Sequence, residues 1–170
     1  KTHENYWYSL SPAYSQADFI TTLNPDRRIF VAKTLERCFI NQRLIGLRTL
    51  TENYDKDLLF ALLNSVLFLL FIESSGFPRG LGALDLNTKK FNKIMILNPD
   101  LISDDNKMLI KNSFSNLVNR EIHTTIEELE LEDRIEFDKL VLRVFGIEDY
   151  YDLIKQTLIN MQTARLSVLD

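Results

Sequence analysis

The fifteen residues from Leu58 to Ile72 contain no charge and only two polar side chains, Asn64 and Ser65. Such a stretch must be hidden from water. A bilayer span needs about 20 predominantly apolar residues, so no membrane crossing is expected and the stretch reads as a core helix. Asp57 stands where it can cap or open that helix, and Ser74-Ser75-Gly76 with Pro78 stop it, which sets the expectation at 58–73. Apolar residues cover nearly the whole circumference, so Leu62, Leu63 and Leu69 all require cover from other elements.

The flanking sequence has to supply that cover. Arg28 to Thr34 reads as a strand with both faces apolar, and Cys38 to Leu50 as its continuation, with Leu35-Glu36-Arg37 as the connection and Gly46 at a bulge. The opening residues Tyr6 to Tyr14 are aromatic and irregular. After a loop punctuated by Gly80 and Gly82, a short strand is expected at Ala83–Leu86. Asn87 caps a turn running to Phe91, and a second strand at Ile94–Leu97 closes at Asn98-Pro99. Beyond residue 100 the spacing is helical: Ser103 to about Asn119, a helix opened by Asp133 and stopped by Gly146, and a last helix from Asp149. The expected fold is α+β, a small mixed β-sheet from 28–50 and 83–97 packed on a buried helix and followed by a helical C-terminal part. Residues 1–100 form the mixed part and 101–170 the helical part, together one domain.

Size and composition agree with this plan. At 170 residues and 45% hydrophobic the chain can bury a core and is too apolar for disorder. Cys38 is the only cysteine, so neither an intrachain disulfide nor a cysteine zinc cluster is available, and the expected location is a reducing one, the cytoplasm. His3 and His123 are too few for a histidine metal site. The chain starts at Lys1 and no cationic and apolar leader follows, so it is expected to be a piece of a longer protein.

Charge is distributed unevenly. Twenty Lys and Arg face 24 Asp and Glu, a net of −4, which excludes a uniformly basic nucleic-acid binder. Yet 27–48 holds six cations (Arg27, Arg28, Lys33, Arg37, Arg43 and Arg48) and a single acid, Glu36. From Glu121 onward twelve acids face five cations. The two halves are expected to meet different partners.

No catalytic constellation is present. Walker-type loops, His-Glu-x-x-His and Gly-x-Ser-x-Gly are all missing, and Gly80-Leu81-Gly82 lacks the third glycine of a dinucleotide fingerprint. The acid pairs Asp104-Asp105, Glu127-Glu128 and Glu132-Asp133 sit at helix starts, where they favour the dipole. His123 has no histidine or cysteine placed to help it, and Cys38, beside Phe39 and Ile40, is expected to be a small buried strand residue. The chain itself is expected to be non-catalytic and to bind no cofactor or metal.

The run D-L-L-F-A-L-L-N-S at 57–65, followed by E-S-S-G at 73–76, G-L-G-A-L-D-L at 80–86 and I-M-I-L-N-P at 94–99, forms a recognisable series. It resembles the C-terminal target-recognition region of bacterial adenine-N6 DNA methyltransferases of restriction–modification systems. The segments I-F-V-A-K-T at 29–34 and F-I-N-Q-R-L-I-G-L-R at 39–48 fit the same arrangement, as do the tail segments E-F-D-K-L-V-L-R-V-F-G-I at 136–147 and Q-T-A-R-L at 162–166. The likeness covers roughly 20–168. Asn24-Pro25-Asp26 and Asn98-Pro99-Asp100 begin like that family's catalytic Asn-Pro-Pro-Tyr but lack its second proline and aromatic, and no S-adenosylmethionine glycine motif is present.

The resemblance implies a sequence-specific reader of double-stranded DNA. Its partner would be the catalytic domain of the same parent chain, which alone would bind S-adenosylmethionine. Chemistry nominates the contacts: Arg27, Arg28, Lys33, Arg37, Arg43 and Arg48, with Lys89, Lys90 and Lys93, for phosphates or guanine edges, and Asn41 and Gln42 as amides able to pair with adenine. A different class remains open, an interaction adaptor that docks a protein through its acidic helices.

Overall fold

A computed structural model of the protein describes residues 16–51, 53–79 and 82–167; the aromatic opening Tyr6–Tyr14 and Gly80 of the glycine loop fall outside these. The fold is α+β, as the sequence indicates. Strands β1 (Gln16–Thr22), β2 (Ala32–Phe39) and β3 (Leu44–Leu47) form an antiparallel sheet in the order β2-β1-β3. A two-stranded pair, β4 (Phe77–Pro78) and β5 (Leu84–Asp85), stands apart from it. The helices are α1 (Lys56–Leu62), α2 (Val66–Ser75), α3 (Thr88–Phe91), α4 (Asp104–Val118), α5 (Thr125–Glu128), α6 (Glu132–Val144) and α7 (Tyr151–Leu166).

The long apolar stretch is two helices, not the single helix expected over 58–73. They meet at Leu63-Asn64-Ser65 and bend by 64°. Polar side chains cause the break. The Asn64 amide accepts from the Val31 N–H (3.0 Å) and donates to the carbonyls of Val31 and Phe60 (2.9 Å each). The Ser65 hydroxyl turns back to the Leu62 carbonyl. The first N–H of α2, at Val66, is taken by Asp138 of α6 at 2.8 Å, a cap supplied from a distant part of the chain. Asp55, not Asp57, caps α1. Leu62, Leu63 and Leu69 are buried, as circumferential apolarity requires. Among the described residues no single helix is long and apolar enough to cross a membrane.

The strands differ more from expectation. Central β1 lies upstream of every strand read from the sequence. Residues 29–31 are not in the sheet, although Ile29 and Val31 are buried, because side chains take their backbone groups: Thr125 accepts from the Ile29 N–H, Thr21 donates to the Phe30 carbonyl, and Asn64 holds both groups of Val31. Leu35-Glu36-Arg37 is mid-strand in β2. The reversal comes at Asn41, whose side-chain oxygen accepts from the Arg43 N–H at 2.6 Å, an Asx-type turn that Leu35 could not make. The irregularity lies between β1 and β2, where residues 34–37 of β2 stand opposite Asp18 alone, and not at Gly46. Gly46 instead permits close approach, since a Cβ there would stand 2.7 Å from Ile40 Cδ1. Residues 94–97 have no strand partner among the described residues: Ile94 and Leu97 turn inward while Met95 and Ile96 face solvent, a pattern that does not alternate as a strand would.

Two apolar clusters hold the molecule. In the larger, Phe19, Ile45, Phe68, Leu69 and Ile72 meet Leu142, Ile154 and Leu158; in the second, Leu58 and Leu62 meet Ile110, Phe114, Phe137 and Val141. Both draw on residues before and after position 100. A buried bidentate pair joins α2 to α7, with Arg165 Nε 2.7 Å and Nη2 3.0 Å from the carboxylate oxygens of Glu73. Arg165 also donates to the Asp26 carbonyl (2.9 Å) and the Gly82 carbonyl.

Candidate nucleic-acid interface

The fold divides the basic segment in two. Three of its cations are turned to acids of the protein. Arg28 donates to the His123 carbonyl and lies 3.3 Å from Glu128 Oε1. Lys33 pairs with Asp57 above the Phe60 ring, and Arg37 Nε lies 3.0 Å from Asp18 Oδ1. Arg27, Arg43 and Arg48 are exposed and make no ion pair among the described residues. Arg27 lines a hollow with Thr124, Glu127 and Thr163, beside the end of α7.

Asp18 determines how the β3 end is presented. Its carboxylate is buried and accepts from Lys56 Nζ (2.8 Å), Arg37 Nε (3.0 Å), the Thr49 N–H (3.0 Å) and the Thr49 hydroxyl (3.1 Å). Burial alone would push this carboxyl up, but the bonds from Lys56, Arg37 and Thr49 outweigh it and hold the group well below the ordinary carboxylate range. With Thr49 fixed inward by these bonds, its neighbours Arg48 and Leu50 are left at the surface, and Leu50 is 97% exposed. At the other end of β3 the Asx turn places Gln42 and Arg43 at an exposed tip. Part of the Asn41 amide is spent on that turn, whereas the Gln42 side chain makes no hydrogen bond among the described residues.

Lys89 and Lys90 stand on α3, which Asn87 caps by accepting from the Lys89 N–H at 2.8 Å. Phe91 is buried, which leaves Lys89, Lys90 and Lys93 at the surface; Lys90 Nζ lies 4.9 Å from the Phe77 ring centroid. The fold then brings this second group to the first. Leu23 donates its N–H to the Arg43 carbonyl (2.8 Å) and accepts from the Leu86 N–H (2.9 Å), so the β2–β3 turn and the lead into α3 meet across the end of β1. Farther along, Arg48, Leu50 and Tyr54 share one groove with Ile96, Asn98 and Pro99. Segments 40–50 and 86–99 therefore run side by side, carrying Arg43, Arg48, Lys89, Lys90 and Lys93 and no acid at all.

Part of the opposite charge is neutralised inside the helical part, through five acids that are ion-paired there. Glu128 receives two bonds from Arg120 (2.9 and 3.0 Å) besides Arg28, and Asp133 receives Arg120 Nε at 2.7 Å. Burial pushes Glu128 up, yet Arg120 and the His123 N–H hold its carboxyl below the usual value. Glu130 pairs with Lys155 and Glu148 with Arg143. Asp138 is fully buried against Arg134 (2.6 Å), and there burial pushes the carboxyl up against the pull of the arginine. His123 takes part through its backbone, and Cys38 is exposed on β2 rather than buried as its apolar neighbours suggest. Among the described residues no group of three or more His, Cys, Asp or Glu side chains could hold a metal ion.

The groove residues Leu50, Tyr54, Ile96 and Asn98 are not legible as a site in the sequence. The available signal was the absence of acids from both segments, but nothing in the chain says that they adjoin. No family model, curated protein or solved structure matches this chain.

Proposed function

We propose that the chain is a sequence-specific reader of double-stranded DNA, the recognition part of a protein resembling an adenine-N6 DNA methyltransferase, with catalysis left to another part of that protein. The observation that carries this reading is the juxtaposition of two acid-free cationic segments, 40–50 and 86–99, on a chain of net charge −4. Concentrating cations on one side overcomes the repulsion between an acidic protein and the duplex. Arg43, Arg48, Lys89, Lys90 and Lys93 are the phosphate contacts, and Gln42 at the turn tip is the amide free to read an adenine edge. The link to the methyltransferase family rests on the motif series between 57 and 99.

An adaptor docking through its acidic helices is the second reading: Glu128, Glu130, Asp133 and Glu148 are ion-paired within the chain, but Glu132, Glu136, Asp149 and Asp152 are exposed and make no ion pair among the described residues. Duplex binding titrated against salt separates the two. A reader loses affinity steeply as salt rises, and alanine at any of the five cations should lower the salt slope by about one. Alanine at Arg28, Lys33 or Arg37 should lower stability and leave the slope unchanged. Affinity for duplex that does not respond to salt would overturn the reading.

A further inference from the structure

A hollow of about 290 Å³ opens between α4 and the segment 28–32, and it shares no residue with the cationic segments 40–50 and 86–99. Its walls are apolar: Phe30, Phe60, Phe114, Leu117 and Val118, with the Phe60 and Phe114 rings edge to face at 5.0 Å. Val118 and Ile122, 51% and 72% exposed, stand at its mouth. The inner end is polar and formed by Arg28, Asn64, Glu128 and Arg134, the last three of them buried. The same four residues also line an adjoining closed hollow of about 20 Å³, room for about one water-sized group.

Only donors are left unspent at that end. Asn64 uses both its side-chain oxygen and its nitrogen on the backbone of Val31 and Phe60. Each Glu128 oxygen accepts from Arg120, and Oε1 accepts also from Arg28 and the His123 N–H. Arg134 gives Nε and Nη2 to Asp138 and the Asn64 carbonyl. Its Nη1 makes no bond among the described residues and is not sealed from solvent, although the side chain is only 7% exposed. Arg28 is bonded through Nη1 alone, which leaves Nε and Nη2. An apolar chamber that ends in two guanidiniums with nitrogens to spare fits an organic anion. The carboxylate takes Arg134 and Arg28, and the apolar body takes the phenylalanine walls. We infer that this hollow binds a small monocarboxylate with an aromatic or acyl body. The inference is independent of the DNA-reading function. An uncharged apolar group, such as a side chain of a partner protein, is the competing occupant.

The experiment is calorimetry on the whole chain at neutral pH with phenylpropionate, its uncharged amide phenylpropionamide, and octanoate. Phenylpropionate should bind with a dissociation constant on the order of 0.1 mM. The amide should bind about tenfold more weakly, because a charged head makes the stronger bonds to guanidinium. Val118→Trp fills the mouth without changing charge and should abolish binding of all three compounds. Ile122→Asp sets a negative charge at the mouth and should weaken phenylpropionate about threefold at low salt, and the amide far less. Both positions are exposed, so the fold should persist in both variants. Equal affinity for acid and amide would assign the hollow to an uncharged apolar group and overturn the inference. Binding that survives Val118→Trp, or is indifferent to Ile122→Asp, would overturn this hollow as the site. Absence of binding by both acids would overturn the inference altogether, whatever the result with DNA.

Discussion

Four donors from three segments converge on the Asp18 carboxylate, one each from Arg37 and Lys56 and two from Thr49. Asp18→Asn keeps the shape but removes the charge, and it should cost about 1–3 kcal/mol in urea unfolding, since donors around a buried site lose their acceptor. The same charge sets an acid dependence. Its folded carboxyl lies below the ordinary value of 3.8, so the stabilisation is complete at neutral pH. It begins to be lost as pH falls through 3.8, where the unfolded chain starts to bind the proton, and continues to be lost toward the depressed folded value. Asp55 behaves alike, burial pushing it up and Lys111 outweighing that. Stability measured from pH 6 down to about 2.5 should therefore fall, and the fall should be shallower in Asp18→Asn. Nothing in the sequence marks Asp18 among 24 acids. Its importance comes from partners 19 to 38 residues away, which no local pattern reports.

At the scale of elements, the junction of α1 and α2 shows what a hydrophobic pattern contains and what it omits. Burial of the whole stretch was legible, because apolar residues surround the axis whether the helix is one piece or two. The bend is not legible in the hydrophobic pattern, although its cause, Asn64-Ser65, lies within the run. A polar pair within an apolar run has to find partners, and Asn64 finds both backbone groups of Val31. Asn64→Ala would orphan that buried N–H and carbonyl at a cost of about 2–3 kcal/mol, measurable by chemical denaturation. Hydrogen exchange at Val31 should accelerate in the variant. The sheet departs from expectation for a related reason: 29–31 look like a strand but are satisfied by the side chains of Thr21, Asn64 and Thr125, so strand-like composition does not become strand pairing. At the small β4–β5 pair, Gly76→Ala would bring its Cβ to 2.4 Å from Leu84 Cγ. Overpacking of this kind should cost about 1–3 kcal/mol, read as a lower melting temperature.

Across the whole molecule, the cationic face and the core depend on one another through few links. Segment 86–99 is tied to the sheet by Leu23, and the loops on either side of that region are tied to α7 by Arg165. Glu73→Gln leaves the Arg165 guanidinium buried without its counter-charge and should cost about 3–5 kcal/mol in urea unfolding. Arg165→Met should cost more, because it strands Glu73 and also leaves the carbonyls of Asp26 and Gly82 without a donor. A charge count can show cations gathered in two stretches of sequence, but their adjacency is a property of the folded sheet. The Glu73–Arg165 clip also orders events during synthesis. Glu73, Asp26 and Gly82 emerge from the ribosome long before Arg165, so a nascent chain ending short of that residue has a carboxylate it cannot bury and two loops it cannot anchor. The upstream part can gather early, but its final locking must wait until almost the whole of α7 has been made.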